Sequence, residues 1–147
     1  MGIQDANAAG NVHGGTIMKI VDEVAGVAAV RHCRTRVVTA ALDRMTFTQP
    51  VYVGQLVTVK ATVNAAWRTS MEVGVRVESE NVRTGEVTHT STAYVTMVAL
   101  GEDGKPVEVA GIEPETEVER RRQREAQLRR DNRLRERDEI TRARDGS

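Results

Sequence analysis

The stretch Asp5-Ala6-Asn7-Ala8-Ala9-Gly10-Asn11-Val12-His13-Gly14-Gly15 and the helix that follows it decide how this chain folds. From Thr16 to about His32 the sequence has no proline, and apolar residues recur at helical spacing. The apolar positions that we expect to face a core are Ile17, Ile20, Val21, Val24 and Ala28. The pattern predicts one amphipathic helix that is buried along one side.

One carboxylate, Asp22, interrupts a helix face that is otherwise small and apolar. The residues about one or two turns away from it are Met18, Ala25, Gly26 and Ala29. Charged side chains rarely occupy such positions without a partner or a function. The residues alone leave two interpretations open. Asp22 is either a functional acid or a partly exposed side chain at the edge of the wet face beside Glu23.

Gly14 and Gly15 stand where the helix begins. Their backbone N–H groups lie in the first turn, where donors have no partner inside the helix and no side chain obstructs them. The positive end of the helix dipole adds to these donors, so an oxyanion or a phosphate could bind there. The alternative interpretation is that the two glycines only end a loop.

The spacing of these two features has a geometric consequence. Gly15 and Asp22 are seven residues apart in one helix, which separates them by roughly 10 Å along its axis. One small reacting group therefore cannot contact both in one chain. If both serve one site, they come from two copies of the helix packed antiparallel, and the small residues Ala25, Gly26 and Ala29 would allow close approach.

Composition narrows the class of protein. The 147 residues predict one domain with an appendage. The 21 basic residues balance the 21 acidic ones, so no net charge argues for nucleic acid or an anionic membrane. The single Cys33 excludes an intrachain disulfide and fits a reducing compartment. Without a membrane-spanning run or a signal-peptide pattern, we expect a cytoplasmic protein.

Four segments after the helix read as strands, with bounds near residues 37–47, 51–63, 71–78 and 87–100. In the third, Met71, Val73, Val75 and Val77 alternate with polar residues, which predicts one buried and one solvated face. One apolar helix followed by four long strands predicts an α+β fold, with an antiparallel sheet wrapped around a central helix.

The composition changes at residue 113, after which arginine and acidic residues alternate to the end. Pro114 suits a helix start. Leu128, Leu134 and Ile140 are six residues apart, which does not match a coiled coil. Since this segment has no aromatic residue to stack on bases, nucleic-acid binding is not expected. We predict one domain over residues 1–112 and a solvated tail over 113–147 that is helical or disordered.

The motifs resemble those of the cytosolic acyl-coenzyme A thioester hydrolases, which are hotdog-fold thioesterases. The matching segments occur in the same order and spacing from Asp5 to about Leu100, and they are Asp5-Ala6-Asn7, Gly10-Asn11-Val12-His13-Gly14-Gly15-Thr16-Ile17, Asp22-Glu23, Phe47-Thr48-Gln49-Pro50-Val51 with Gly54, Ser79-Glu80-Asn81 and Thr84-Gly85. The resemblance implies a hotdog domain that dimerises through a shared sheet, often as a trimer of dimers.

The resemblance also implies roles for individual residues. Asp22 would act as general base or as nucleophile, and Asn7 would hold the attacking water or the thioester. The amides of Gly14 and Gly15 from the facing subunit would stabilise the oxyanion. His13 would line the entry. The substrate would be an acyl-CoA. We expect no metal and no cofactor, because coenzyme A is part of the substrate.

Coenzyme A carries phosphates that favour basic and hydroxyl side chains. Arg68, Thr69 and Ser70, which open a strand, are our candidates for binding it, and the alternative is an ordinary surface turn. His32 and His89 read as structural residues.

A hydratase and a non-catalytic binding module are the two alternative functions for such a domain. A hotdog hydratase would need the motif Asp-x-Asn-Pro-x-His, and Ala8 and Gly10 stand where the Pro and His should be. A non-catalytic acyl-CoA-binding or assembly module would be expected to lose Asn7 or Asp22, and this chain keeps both.

Overall fold

A computed structural model describes residues 11–146, apart from the side chain at position 44. Its elements, in chain order, are α1 (Gly14–Cys33), β1 (Arg36–Phe47), β2 (Leu56–Ala66), β3 (Ser70–Asn81), β4 (Glu86–Leu100) and α2 (Glu117–Asp145). The four strands form one antiparallel sheet in the order β1-β4-β3-β2. This architecture confirms the predicted α+β hotdog fold with a charged helical tail.

Helix α1 packs on one face of the sheet and supplies the centre of the core. Its innermost side chains, Ile17, Val21, Ala25 and Ala29, are no more than 1% exposed. They meet the inward-facing residues of the two central strands, which are Met71, Val73, Val75, Val77, Ala93, Val95, Met97 and Ala99. Burial of these side chains is the main stabilising contribution to the fold.

The buried stripe of α1 is rotated from the predicted one. Ile17 and Val21 are buried as expected, whereas Ile20, Val24 and Ala28 are only partly buried. Ala25 and Ala29 take the innermost positions, because a methyl side chain lets the helix axis lie close to the sheet. These two alanines are therefore not available to contact a second helix. Gly26 remains, and a methyl group added there would have no atom within 4 Å among the described residues.

The second strand begins later than predicted. The segment that follows Pro50 forms a turn, in which the Gln55 N–H donates to the Tyr52 carbonyl over 3.2 Å. Gly54 in this turn has a φ of 96°, a conformation that glycine adopts without strain. Strand β2 consequently starts at Leu56 rather than at position 51.

Helix α2 covers the opposite, outer face of the sheet. We predicted that β3 has a solvated face and that the tail is solvated, and both predictions are correct only in part, since Arg76 of β3 and most residues of α2 are exposed. Glu72, which points outward from β3, is 1% exposed, and Ala126 of α2 is completely buried. Thr116 caps the helix by accepting a hydrogen bond from the Glu119 N–H over 3.1 Å. Helix α2 therefore covers part of the outer face of the sheet, around Glu72.

A buried ion pair fastens α2 to the middle of the sheet. Arg129 Nη2 lies 2.6 Å from Glu72 Oε1, and Arg129 Nε lies 3.1 Å from Glu72 Oε2. Asn64 Nδ2 donates a further bond to Glu72 over 3.1 Å, and the guanidinium stacks 3.6 Å from the Tyr94 ring centroid. Burial alone would lower the pKa of Arg129, but its bonds to Glu72 raise that pKa overall. Arg129 thus stays charged.

Further contacts hold α2 along its length. Arg133 Nη1 lies 2.7 Å from Asp43 Oδ2 on β1, and Trp67 Nε1 donates to Gln127 over 2.9 Å. The Arg130 guanidinium lies 4.6 Å from the Trp67 ring centroid. The division of the chain into domains at residue 112 stays a prediction. Helix α2 contacts both edges of the sheet, through Asp43 of β1 and through Trp67 after β2.

Candidate active site

The predicted acid, Asp22, lies on α1 and is held by a threonine from the next element. Thr39 of β1 donates a hydrogen bond from Oγ1 to Asp22 Oδ1 over 2.5 Å. Asp22 is partly buried and Thr39 is exposed. The bond fixes the rotamer of the carboxylate, and the other oxygen, Oδ2, can face a substrate or a water molecule.

A β-bulge sets the position of Thr39. Thr39 pairs with Met97 across the sheet, but Thr96 pairs with Ala41, so Ala40 is an extra residue in β1. Bulges bend a strand and re-aim its side chains, and they are frequent beside active sites. The Thr39 hydroxyl also lies 3.5 Å from Met97 Sδ. The bulge therefore places the Thr39 hydroxyl beside α1, on the face of β1 that faces the core.

Sequence analysis missed Thr39, although a signal for it was present. Val37 and Thr39 are two residues apart and so share the face of β1 that meets α1. A hydroxyl at a core-facing position near a helical carboxylate is a reason to consider a polar pair. The bulge at Ala40, which decides whether that pair forms, has no glycine or proline to mark it in the sequence.

The Asp22–Thr39 pair opens toward the edge of the sheet. Within residues 11–146, β1 pairs with β4 on one side and with no strand on the other. Exposed apolar side chains surround this edge, and they include Met18 at 42%, Val38 at 45% and Phe47 at 42%. A long edge strand with such neighbours is a surface that another chain can cover.

Gly14 and Gly15 are the first two residues of α1. His13 is the N-cap residue, it is exposed, and its side chain makes no capping bond. Within the described part of the chain, Thr16 N and Ile17 N donate to the His13 carbonyl over 3.1 and 3.4 Å. A methyl group added at Gly15 would meet no described atom within 4 Å, whereas at Gly14 it would lie 3.4 Å from the Phe47 ring. Among the described residues, no side chain therefore crowds the Cα of Gly15.

The structure does not bring all predicted site residues together in one chain. Gly15 and Asp22 are both on α1, separated by about two turns as the spacing required. Asn7 lies outside the described residues. Thr39 lies close to Asp22. The amides of Gly14 and Gly15 lie about two turns away, toward the N-terminus of the same helix.

The candidate residues for coenzyme A binding form the turn between β2 and β3. Trp67 N donates to the Ser70 carbonyl over 2.8 Å, and Ala99 N donates to the Thr69 carbonyl over 3.0 Å. Arg68 is exposed, and its carbonyl accepts from Val109 N over 2.9 Å. Met71, the residue after Ser70, pairs with Met97 of β4, and Met97 pairs on its other side with Thr39. Two strand spacings, about 10 Å, separate them.

Two histidines have backbone partners. His32 Nε2 lies 2.7 Å from the Ala110 carbonyl oxygen. His89 Nε2 lies 3.0 Å from the Ser91 carbonyl oxygen and 2.8 Å from Thr92 Oγ1. These contacts tie loops and strands together, as a structural role requires. Across residues 11–146, neither helix has the length and apolar character needed to cross a lipid bilayer.

A family model described as the thioesterase superfamily matches residues 9–86, more than half of the chain. The chain belongs to the thioesterase superfamily. It is 44% identical over 130 residues to the protein VdlD of Helicobacter pylori, and this match covers 88% of the chain and 74% of VdlD. It is 37% identical to the cytosolic acyl coenzyme A thioester hydrolase of Rattus norvegicus, covering 83% of the chain but 32% of that longer protein.

Solved structures of superfamily members match the whole architecture, including α2. An apo-hexameric acyl-CoA thioesterase superposes with a TM-score of 0.89 at 40% identity, covering 92% of this chain and 87% of that one. The acyl-CoA hydrolase of Staphylococcus aureus, in complex with butyryl coenzyme A, coenzyme A and coenzyme A disulfide, gives 0.87 at 34% identity. That match covers 96% of this chain and 86% of the other.

Proposed function

We propose that this protein hydrolyses acyl-CoA thioesters to a free fatty acid and coenzyme A. The observation that carries the proposal is the bond from Thr39 to Asp22, which orients a carboxylate on the central helix of a thioesterase-superfamily fold. Relatives named acyl-CoA thioester hydrolases, and a superposable hydrolase solved with butyryl coenzyme A, support this substrate class.

Substitutions made in the Staphylococcus aureus hydrolase support the same group of residues. Its solved variants replace an asparagine, an aspartate or a threonine by alanine. The asparagine precedes the aspartate by 15 positions, and the aspartate precedes the threonine by 17. Asn7, Asp22 and Thr39 have the same separations in this chain. We therefore assign these three residues to one site.

In the proposed reaction, a water molecule attacks the thioester carbonyl carbon while Asp22 takes one of its protons. The carbonyl oxygen becomes an oxyanion and then reforms the carbonyl as the C–S bond breaks. Asp22 returns its proton to the sulfur, and coenzyme A leaves as the thiol. Thr39 holds Asp22 in position, and Asn7 positions the water or the thioester. Asp22 could instead attack directly and form a mixed anhydride that water then hydrolyses.

The oxyanion would be stabilised by the amides of Gly14 and Gly15 from a second subunit. Donors must lie about 3 Å from the oxyanion, and the helix separates Gly15 from Asp22 by about 10 Å. The open edge of β1 and its exposed apolar side chains support a homodimer that supplies the missing donors. Two superposable thioesterases are hexameric, which supports a trimer of dimers.

For coenzyme A binding we propose the β2–β3 turn with Arg68, Thr69 and Ser70, together with His13 at the entry to the site. The turn is exposed at Arg68 and lies about 10 Å along the sheet from Thr39. A pantetheine arm could bridge this distance from the thioester to a phosphate.

Steady-state hydrolysis across a series of acyl-CoA esters, from acetyl to palmitoyl, tests the proposal. We expect turnover that depends on chain length, and loss of turnover in Asp22→Asn. Binding of every ester without hydrolysis would overturn the enzymatic assignment and favour a non-catalytic acyl-CoA-binding module.

A further inference from the structure

A cleft lies between α2 and the outer face of the sheet, on the side of the sheet opposite to α1. Its volume is about 360 Å³, within the range of small-molecule sites. Its floor is formed by polar and small residues of three strands, among them Thr62, Asn64 and Gly74. A second cavity of about 340 Å³ shares Thr62, Asn64 and Arg122 with it. We call the two together the outer cleft.

The outer cleft is lined by more cations than anions. Its positively charged side chains are Lys60, Arg76, Arg121, Arg122 and Arg129. Four carboxylates offset them: Glu72 pairs with Arg129, Glu78 pairs with Arg76 and Lys60, Glu125 lies 3.9 Å from Arg121, and Glu119 lines the second cavity. Five cations against four carboxylates leave an excess of one positive charge in the cleft and its immediate partners.

Arg122 is the side chain that lies at the centre of this excess. It lines both cavities, it is partly buried, and within residues 11–146 it makes no ion pair or hydrogen bond. The Thr62 hydroxyl and the Asn64 amide lie on the floor below it. A guanidinium, a hydroxyl and an amide facing a shared space can bind a tetrahedral oxyanion, since Arg presents two parallel donors to phosphate oxygens.

We propose that the outer cleft binds the phosphate group of a small metabolite that carries two or more negative charges. A phosphate is favoured because the Arg122 guanidinium can donate two parallel hydrogen bonds to its oxygens and the Thr62 hydroxyl can donate another. The site is distinct from the proposed active site of the same chain, since Asp22 lies on α1 across the sheet. A ligand in the cleft contacts both α2 and the strands, so it also stabilises the packing of α2.

Pyrophosphate is a suitable probe. We would titrate it into the full-length protein by calorimetry at constant ionic strength, with sodium chloride as the balancing salt. We expect one binding event per chain for the wild type, and binding weakened about tenfold or more in Arg122→Gln. Arg137→Gln is the matched control, because Arg137 is an exposed arginine on the same helix outside the cleft, and it should bind as the wild type does.

Two results would overturn the proposal. One is the absence of pyrophosphate binding to the wild type, and the other is equal affinity in Arg122→Gln and the wild type. A circular dichroism spectrum of Arg122→Gln shows whether that variant keeps its fold. Hydrolysis of acyl-CoA, measured on the same preparations, reports on the proposed function separately, so a failure of either proposal is recognised by itself.

Repeating the titration with saturating coenzyme A identifies the source of the phosphate. Displacement of pyrophosphate, with a raised KM for acyl-CoA in Arg122→Gln, would mean that coenzyme A itself supplies the phosphate group, bound on the outer face of a subunit. Undiminished pyrophosphate binding would mean that a separate phosphorylated metabolite uses the cleft. Both results support the site and differ only in its ligand.

Discussion

At the residue scale, the carboxylate of Asp22 is the group whose removal tests the site most directly. Asn is nearly the same size as Asp but cannot accept a proton in this reaction or attack as a carboxylate. Asp22→Asn should therefore lower the turnover number by about 10²-fold or more, with an unchanged thermal midpoint. Glu23→Gln, one residue away and exposed, is the control and should hydrolyse acyl-CoA normally. Equal turnover in Asp22→Asn and wild type would remove Asp22 from the mechanism.

The hydroxyl of Thr39 gives a second test. Thr39→Val keeps the shape of the side chain but removes the donor to Asp22, and a hydrogen bond to a charged group contributes about 1.5–3 kcal/mol. We expect turnover to fall by about tenfold or more, with a smaller effect on KM. Thr39→Ser keeps the hydroxyl and should retain most of the turnover. A serine variant as slow as the valine variant would indicate that shape rather than the hydrogen bond matters.

At the element scale, the pairing of α2 with the sheet predicts a large effect from one arginine. Arg129→Met leaves Glu72 buried beside Asn64 without its cation, which costs about 3 kcal/mol because Arg129 retains some exposure. The thermal midpoint should fall by roughly 5–10 °C. Arg137→Met, on the exposed side of the same helix, should change it little.

A double variant separates the charge from the packing. Glu72→Met together with Arg129→Met removes both charges, and it should recover most of the lost stability, as buried ion pairs replaced by apolar residues often do. If the double variant is as unstable as the single one, the loss is one of packing, and the uncompensated charge is not its cause.

Removing the whole helix should have a stronger effect. From composition we expected that a chain stopped after Gly111 would keep its turnover number, but the packing of α2 argues against this. Without α2, the carboxylate of Glu72 and the surface around Ala126 lose their cover. We now expect the truncated chain to unfold at lower urea concentration and to lose turnover with its fold. Equal urea midpoints for the truncated and full-length chains would mean that α2 is dispensable for stability.

At the scale of the whole molecule, a site that takes Asp22 from one subunit, and Asn7 together with Gly14 and Gly15 from the other, predicts complementation between inactive subunits. Asn7→Ala and Asp22→Asn would each be inactive alone, but a mixed dimer has one site with both lesions and one with neither. Since half of randomly formed dimers are mixed, recovery should reach at most about one quarter of the wild-type rate. Activity that stays absent after demonstrated subunit exchange would mean that the two residues act within one chain.

The sequence predicted the fold class and the central helix because their signals are local periodicities. It could not predict the role of α2, since Glu72 and Arg129 are 57 residues apart and each looks like a solvated charge in its own segment. It identified Asp22 by the contrast with its helical neighbours. It missed Thr39 because a bulge without a glycine or proline decides where that side chain lies.

The order of α2 in the chain has a consequence for synthesis on the ribosome. α2 follows all four strands, so the sheet is made before its outer cover. At about 5–20 residues per second, the 29 residues of α2 take roughly 1.5–6 s to translate. During that interval we expect the unpaired carboxylate of Glu72 to stay hydrated, which would oppose association of the outer face with other nascent chains. When Arg129 has been synthesised, it pairs with Glu72 and α2 packs on the outer face. The same carboxylate would thus first keep that face hydrated and later bind the helix that covers it.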